Sequence, residues 1–199
     1  MSFSLKKLLA LSLLTASLQA SAQQIQLGYP TTGGTGCPAG SAQANLTPDG
    51  SSLSIIFDQF VTEAGPASGR TLDRKNCQIA IPVVVPGGYS VSLFAADYRG
   101  FVSLPQGATA RMTVDYFFAN APGARFARDF RGRQDSDYLI NHNLEAEALV
   151  WSPCGAQTQL RVNASMMVRN TSYQDAMATV DSADINAGIV YHVRLRRCR

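Results

Sequence analysis

The chain has 199 residues, 46% of them hydrophobic, and its 17 lysines and arginines against 14 acids give a formal net charge of +3. A body so near neutral exerts no long-range pull on nucleic acid or an anionic membrane, which sets those partner classes aside. The length suits one domain, large enough to bury roughly 70% of the surface its unfolded chain exposes.

The first residues read as a targeting segment. "MSFSLKK" supplies a basic start, "LLALSLLTASL" a short apolar run, and Ala20, Ser21 and Ala22 the small residues that a signal peptidase reads. That run is too short to span about 30 Å of hydrocarbon, and nothing downstream resembles a membrane helix, so no transmembrane segment is expected. Cleavage after Ala22 would expose Gln23, and loss of Lys6 and Lys7 would bring the mature chain closer to neutrality. The predicted organisation is a signal peptide over residues 1–22, an extended lead-in over 23–36 and one β-sandwich domain over 37–199.

Glycine, threonine and proline dominate the lead-in, "QQIQLGYPTTGGTG". A hairpin follows in "SAQANLTPDGSSLSIIFDQF". Ala42, Ala44 and Leu46 alternate with polar neighbours, "TPDG" turns the chain, and Leu53, Ile55 and Phe57 resume on one face. "NCQIAIPVVVPGGYSVSLFAADYRG" predicts a second hairpin of core strands. Ile79, Ile81, Val83 and Val85 share one face, Pro82 marks an edge, bulge or strand end, and "PGG" turns the chain into Val91 and Leu93.

Strands continue at all-β spacing. Ala110, Met112, Val114 and Tyr116 alternate against Arg111, Thr113 and Asp115. Leu160, Val162, Ala164, Met166 and Val168 alternate against Arg161, Asn163, Ser165 and Arg169. In the last strand, Ile189, Tyr191, Val193 and Leu195 oppose His192, Arg194 and Arg196. Only "YQDAMATVDSADI" and "NLEAEALVW" have room for a turn of helix. Strands without crossover helices predict an antiparallel β-sandwich.

One stretch breaks the rhythm. "ANAPGARFARDFRGRQDSDYLINHN" is read as a long arginine-rich loop, its charge partly cancelled by Asp129, Asp135 and Asp137. If a loop binds a ligand, its candidate residues are Arg125, Phe126, Arg128, Phe130, Arg131 and Arg133. Arginines suit phosphate or acidic sugar, and phenylalanines suit stacking.

The cysteines Cys37, Cys77, Cys154 and Cys198 form an even set in the exported part, which predicts two disulfides. Their wide spacing argues against zinc. Cys37 and Cys77 each precede a predicted strand, whereas Cys154 and Cys198 each follow one. Antiparallel neighbours bring the start of one strand beside the end of the other. The expected pairing is therefore Cys37–Cys198 with Cys77–Cys154, the first tying the chain ends together.

"GTGCP" (34–38), "RKNCQ" (74–78), "YRG" (98–100), "VWSPCG" (150–155) and the terminal "RRC" occur in this order. Together they resemble the family of small secreted four-cysteine proteins of bacteria and fungi catalogued as domain of unknown function 4360. The resemblance implies export and a β-rich domain. It brings no established activity, so it transfers no catalytic residue.

Candidate chemistry is thin. There are two histidines and no G-x-S-x-G elbow. His192 reads as an exposed bystander, and His142, beside a loop mouth, is the stronger acid–base candidate. Glu145 and Glu147 share a strand face but do not stand across a cleft, as paired glycosidase carboxylates must. Asp135, Asp137, Asn141 and Asn143 offer oxygens to calcium without any EF-hand spacing. Trp151 is expected to pack near a disulfide, with sugar stacking the alternative. Asn45, Asn163 and Asn170 begin glycosylation sequons, which matter only in a eukaryotic host. No catalytic residue, metal ligand or cofactor is assigned. The expected function is binding or structural, at or outside the cell envelope, with carbohydrate or a surface polymer as ligand class. The alternative is a hydrolase of envelope polysaccharide or peptide using an Asp or Glu with His142, which an Asp137 or His142 variant would test.

Overall fold

The computed structural model describes residues 24–143, 150–180 and 189–198. The segment read as a signal peptide, the cleavage site expected after Ala22, Glu145 and Glu147 lie outside the described residues. In chain order the strands are β1 (Gln26–Leu27), β2 (Thr31–Gly33), β3 (Ala42–Leu46), β4 (Ser52–Phe57), β5 (Val61–Ala64), β6 (Leu72–Val84) and β7 (Tyr89–Leu104). Then follow β8 (Thr109–Phe118), β9 (Ala124–Arg131), β10 (Gln134–Asn143), β11 (Val150–Trp151), β12 (Gln157–Arg169), β13 (Ala176–Thr179) and β14 (Ile189–Arg197). No helix occurs among the described residues, so none there is long and apolar enough to cross a membrane.

Two antiparallel sheets form the fold. The six-stranded sheet runs β1-β6-β12-β8-β9, with β2 also on β6. The eight-stranded sheet runs β3-β4-β14-β7-β13-β5, with β10 and β11 on the other edge of β7. The predicted alternation sets the inner faces. Ile79, Ile81, Met112, Val114, Leu160 and Val162 are buried from one sheet; Leu53, Ile55, Val91, Leu93, Ile189 and Tyr191 are buried from the other. Each such aliphatic side chain contributes about 1.5–3 kcal/mol by leaving water. Pro82 lies two residues from the end of β6, where a missing amide costs least.

The "TPDG" turn forms as read. Thr47 donates its hydroxyl to Asp49 at 2.6 Å and the Ser51 amide donates to the same carboxylate at 3.1 Å. Gly50, at φ 70°, completes the reversal. These donors hold the Asp49 carboxyl down at about 2. Its contribution is therefore present above the ordinary value of 3.8 and is lost as pH falls through about 2.

Three expectations are corrected. The disulfides join Cys37 to Cys77 (Cα–Cα 5.2 Å) and Cys154 to Cys198 (6.0 Å), not Cys37 to Cys198 and Cys77 to Cys154. The lead-in is itself paired: β2 runs antiparallel to β6, with Gly33 opposite Gln78. Cys37 thus closes β2 as much as it opens β3, and it meets Cys77 inside β6. At the other end, β11 and β14 both run antiparallel to β7 on its opposite edges. They finish together, the Gly155 amide on the Tyr89 carbonyl at 2.7 Å and the Cys198 amide on that of Gly88 at 2.8 Å. Two strand ends meet there.

The arginine-rich loop is not a loop. Residues 124–143 form β9 and β10, one in each sheet, and the chain crosses between the sheets at Gly132. Phe130 is buried 4.8 Å from the Tyr138 ring, and Phe126 stacks on Tyr98 at 4.4 Å. Residues Ala176–Thr179, inside a stretch with room for a helical turn, are instead strand β13, paired to β5 and β7.

Candidate functional site

The outer face of the eight-stranded sheet concentrates the chemistry of the described residues. Residues directly opposite in antiparallel strands share a face, so the pairing register lays out that surface in rows. One row runs Asn45, Ser54, Val190, Asp97, Asn141 across β3, β4, β14, β7 and β10. The next holds Ser52, His192, Ala95 and Asn143, and the one after that holds Arg194, Ser92 and Trp151.

Asp97 is the hub. Asn141 donates its amide to one carboxylate oxygen, and His192 Nε2 lies 3.0 Å from the other. A β-bulge tightens the surface here. The register of β14 against β7 shifts between His192 and Val193, leaving Phe94 as the extra residue beside Leu93 and Ala95. The Phe94 ring therefore stands over the outer face, 5.9 Å from His192 and 4.6 Å from the Arg194 guanidinium. Trp151 lies under Arg196 at 3.8 Å and is half-buried. Such stacks cost little solvation and hold both partners flat.

Several sequence candidates separate in space. His142 points inward, not to a loop mouth: it is 9% exposed, 4.8 Å from the Phe126 ring. Asp137 is an odd number of residues away on the same strand, so it projects from the opposite face and cannot work with His142. Asp135, Asp137, Asn141 and Asn143 lie on the outer side of β10, with exposed Leu139 between Asp137 and Asn141, and Asn141 is committed to Asp97. Among the described residues no three His, Cys, Asp or Glu side chains cluster as metal ligands would. Trp151 stands opposite Ser92 on the outer face, under Arg196, and not in the core.

The arginine candidates divide too. Arg125 pairs with Asp115, directly opposite on β8, and this partner raises its pKa further; Asp129 pairs with Arg111 at 3.1 Å. These pairs border a shallow trough of about 620 Å³ on the outside of the six-stranded sheet, lined by Asn76, Gln78, Thr113, Asn163 and Ser165 among others. Its cations are largely matched by acids. Arg128, Arg131 and Arg133 are exposed, while Phe126 and Phe130 belong to the interior.

The sequence reading missed Asp97, Asn141 and His192 as a group, and Phe94 altogether. Alternation hinted that His192 faces outward. Only the register puts it beside Asp97, 95 residues away. Ser52 stands across from His192, and no hydrogen bond joins them.

Comparison with known proteins adds the lineage. A family model described as "Domain of unknown function (DUF4360)" matches residues 23–198. An "Uncharacterized secreted protein" of Arthroderma benhamiae is 35% identical over 170 residues, which is 84% of this chain and 69% of that one. Among solved structures, TmCBM61 in complex with β-1,4-galactotriose aligns over 85% of this chain and 88% of its own at 9% identity and TM-score 0.29. The family 11 carbohydrate-binding module from Clostridium thermocellum, in complex with a β-1,3-1,4-mixed-linked tetrasaccharide, aligns over 84% and 86% at 8% identity and TM-score 0.22. Both scores are too low to bear on function.

Proposed function

The chain belongs to the DUF4360 family, and from that premise we propose that it is an exported single-domain protein that binds polysaccharide on the outer face of its eight-stranded sheet. Export would follow cleavage after Ala22. The two disulfides support an oxidising destination. One observation carries the ligand class: the register sets Asn45, Ser54, Asp97 and Asn141 in a row, with His192 alongside and the Phe94 and Trp151 rings at its border. Amide, hydroxyl, carboxylate and imidazole groups match the mixed donors and acceptors of sugar hydroxyls. Ring faces match the apolar faces of sugars.

The test is binding to a panel of soluble and immobilised polysaccharides, measured for the wild type and two variants. Asn45→Ala combined with Asn141→Ala is expected to weaken retention at least tenfold. Asn163→Ala, on the outside of the other sheet, is expected to leave it unchanged. Loss with Asn163→Ala alone would put the site on the wrong face, and no retention by any polysaccharide would overturn the reading.

A further inference from the structure

The C-terminal end of β14 carries more positive charge than neutral sugars require. Arg196 lies 3.8 Å over Trp151, and Arg197 lies 6.0 Å from the Tyr89 ring while its Nε donates to the Tyr89 hydroxyl at 3.2 Å. Arg194 makes the same kind of stack on Phe94. A guanidinium stacked on a ring engages its flat face, and its N–H donors lie in its plane, so stacking leaves the Arg196 fork open, while Arg197 spends its Nε on Tyr89 and keeps its terminal N–H groups. Among the described residues no carboxylate lies within ion-pair distance of Arg196 or Arg197, in contrast to the matched arginines on the six-stranded sheet. With Ser90 and the Cys154–Cys198 bridge, these two arginines line an open trough of about 640 Å³. The disulfide ties down the backbone on both sides of the trough, which limits the entropy lost when a ligand is held there.

We propose that this trough binds the carboxylates of an acidic polysaccharide, a polyuronate lying along β14. The inference rests on the polysaccharide-binding reading and specifies its ligand. Arg196 and Arg197, without a carboxylate partner among the described residues, adjoin a row of hydroxyl-matching groups, and a polyuronate carries both acid and hydroxyl functions on every ring. A carboxylate is planar, and its two oxygens accept two parallel N–H bonds from a guanidinium fork.

The probes are polygalacturonate, its fully methyl-esterified form, dextran sulfate and inorganic polyphosphate, titrated calorimetrically against the oxidised mature chain. Polygalacturonate is expected to bind, and esterification, which keeps the backbone and removes the charge, to weaken it at least tenfold. Arg196→Gln and Arg197→Gln are each expected to weaken polygalacturonate at least fivefold with melting temperatures retained. Arg196→Lys, which keeps the charge and loses the fork, should recover only a minor part. Equal affinity for the ester, or full recovery in Arg196→Lys, would overturn the carboxylate site and leave neutral-polysaccharide binding intact. Equal or tighter binding of dextran sulfate or polyphosphate would overturn it as unspecific anion attraction. Failure of every polysaccharide would overturn the underlying reading as well.

Discussion

Tyr191 sits where tyrosine rings crowd the middle of the sandwich, 5.5 Å from the Tyr116 ring and close enough to Tyr98 for both to affect its ionisation. It is wholly buried, and its hydroxyl finds no hydrogen-bond partner among the described residues. Burial pushes that hydroxyl well above its usual value of 10.0, with the two neighbouring tyrosines adding to the effect. An unfolded chain loses the proton near 10 while the folded chain keeps it. Stability is therefore complete below about pH 10 and falls as pH rises beyond it. Urea midpoints measured from pH 8 to 11 are expected to fall steeply above pH 10 in the wild type and less steeply in Tyr191→Phe. At neutral pH the same variant is expected to melt higher, because an unpartnered buried hydroxyl costs about 1–3 kcal/mol of desolvation. A lower melting temperature would mean that the hydroxyl is satisfied in solution.

β9 shows how an element can hide behind its charge. Arg125, Ala127, Asp129 and Arg131 alternate with Phe126, Arg128 and Phe130, a clear period of two. The alternation is obscured because Arg128 occupies an inward position yet remains exposed at the sheet edge, where nothing covers it. Arg125 and Asp129 pair with opposite charges across the ladder to β8, so much of this charge belongs to a sheet's outer face and not to a solvated connector. Phe130→Ala is expected to cost about 3 kcal/mol, read as a drop in the melting temperature of roughly 6–12 °C. Arg128→Ala should change stability by no more than about 0.5 kcal/mol. Removing 124–134 should abolish cooperative melting, since it strips an edge from one sheet and the cover from Tyr98. An unchanged melt would restore the loop reading. Gly100 illustrates the same dependence on neighbours: a Cβ there would strike the Tyr138 ring and the Thr179 carbonyl that Tyr138 bonds at 2.7 Å.

At the scale of the molecule, the two disulfides clamp opposite features. Cys37–Cys77 fastens the lead-in to the six-stranded sheet, and Cys154–Cys198 gathers β11 and β14 at the start of β7, beside the arginine trough. Each closes a loop of similar span, with sequence separations of 40 and 44, worth about 4 kcal/mol apiece in the chain-entropy account. Non-reducing peptide mapping should recover Cys37 linked to Cys77, and a Cys37–Cys198 peptide would contradict the topology. Replacing Cys154 and Cys198 together by alanine is expected to lower stability by about that amount. It should also weaken polygalacturonate binding more than replacing Cys37 and Cys77, because only the first pair anchors Arg196 and Trp151.

The sequence by itself determined the all-β class, the two sheets' inner faces, the "TPDG" hairpin and the presence of two bridges. Each depends on period-two alternation or on local turn chemistry, which neighbouring residues carry without help from the rest of the chain. Tertiary structure decided which strands lie side by side, and with that everything of functional interest. Cys37 meets Cys77 because the lead-in adds to β6; Asp97 meets His192 and Asn141 because β14 and β10 flank β7; Phe94 faces outward because one residue is bulged. Alternation along a strand says which face a side chain takes, but only pairing between strands says which distant side chains share that face.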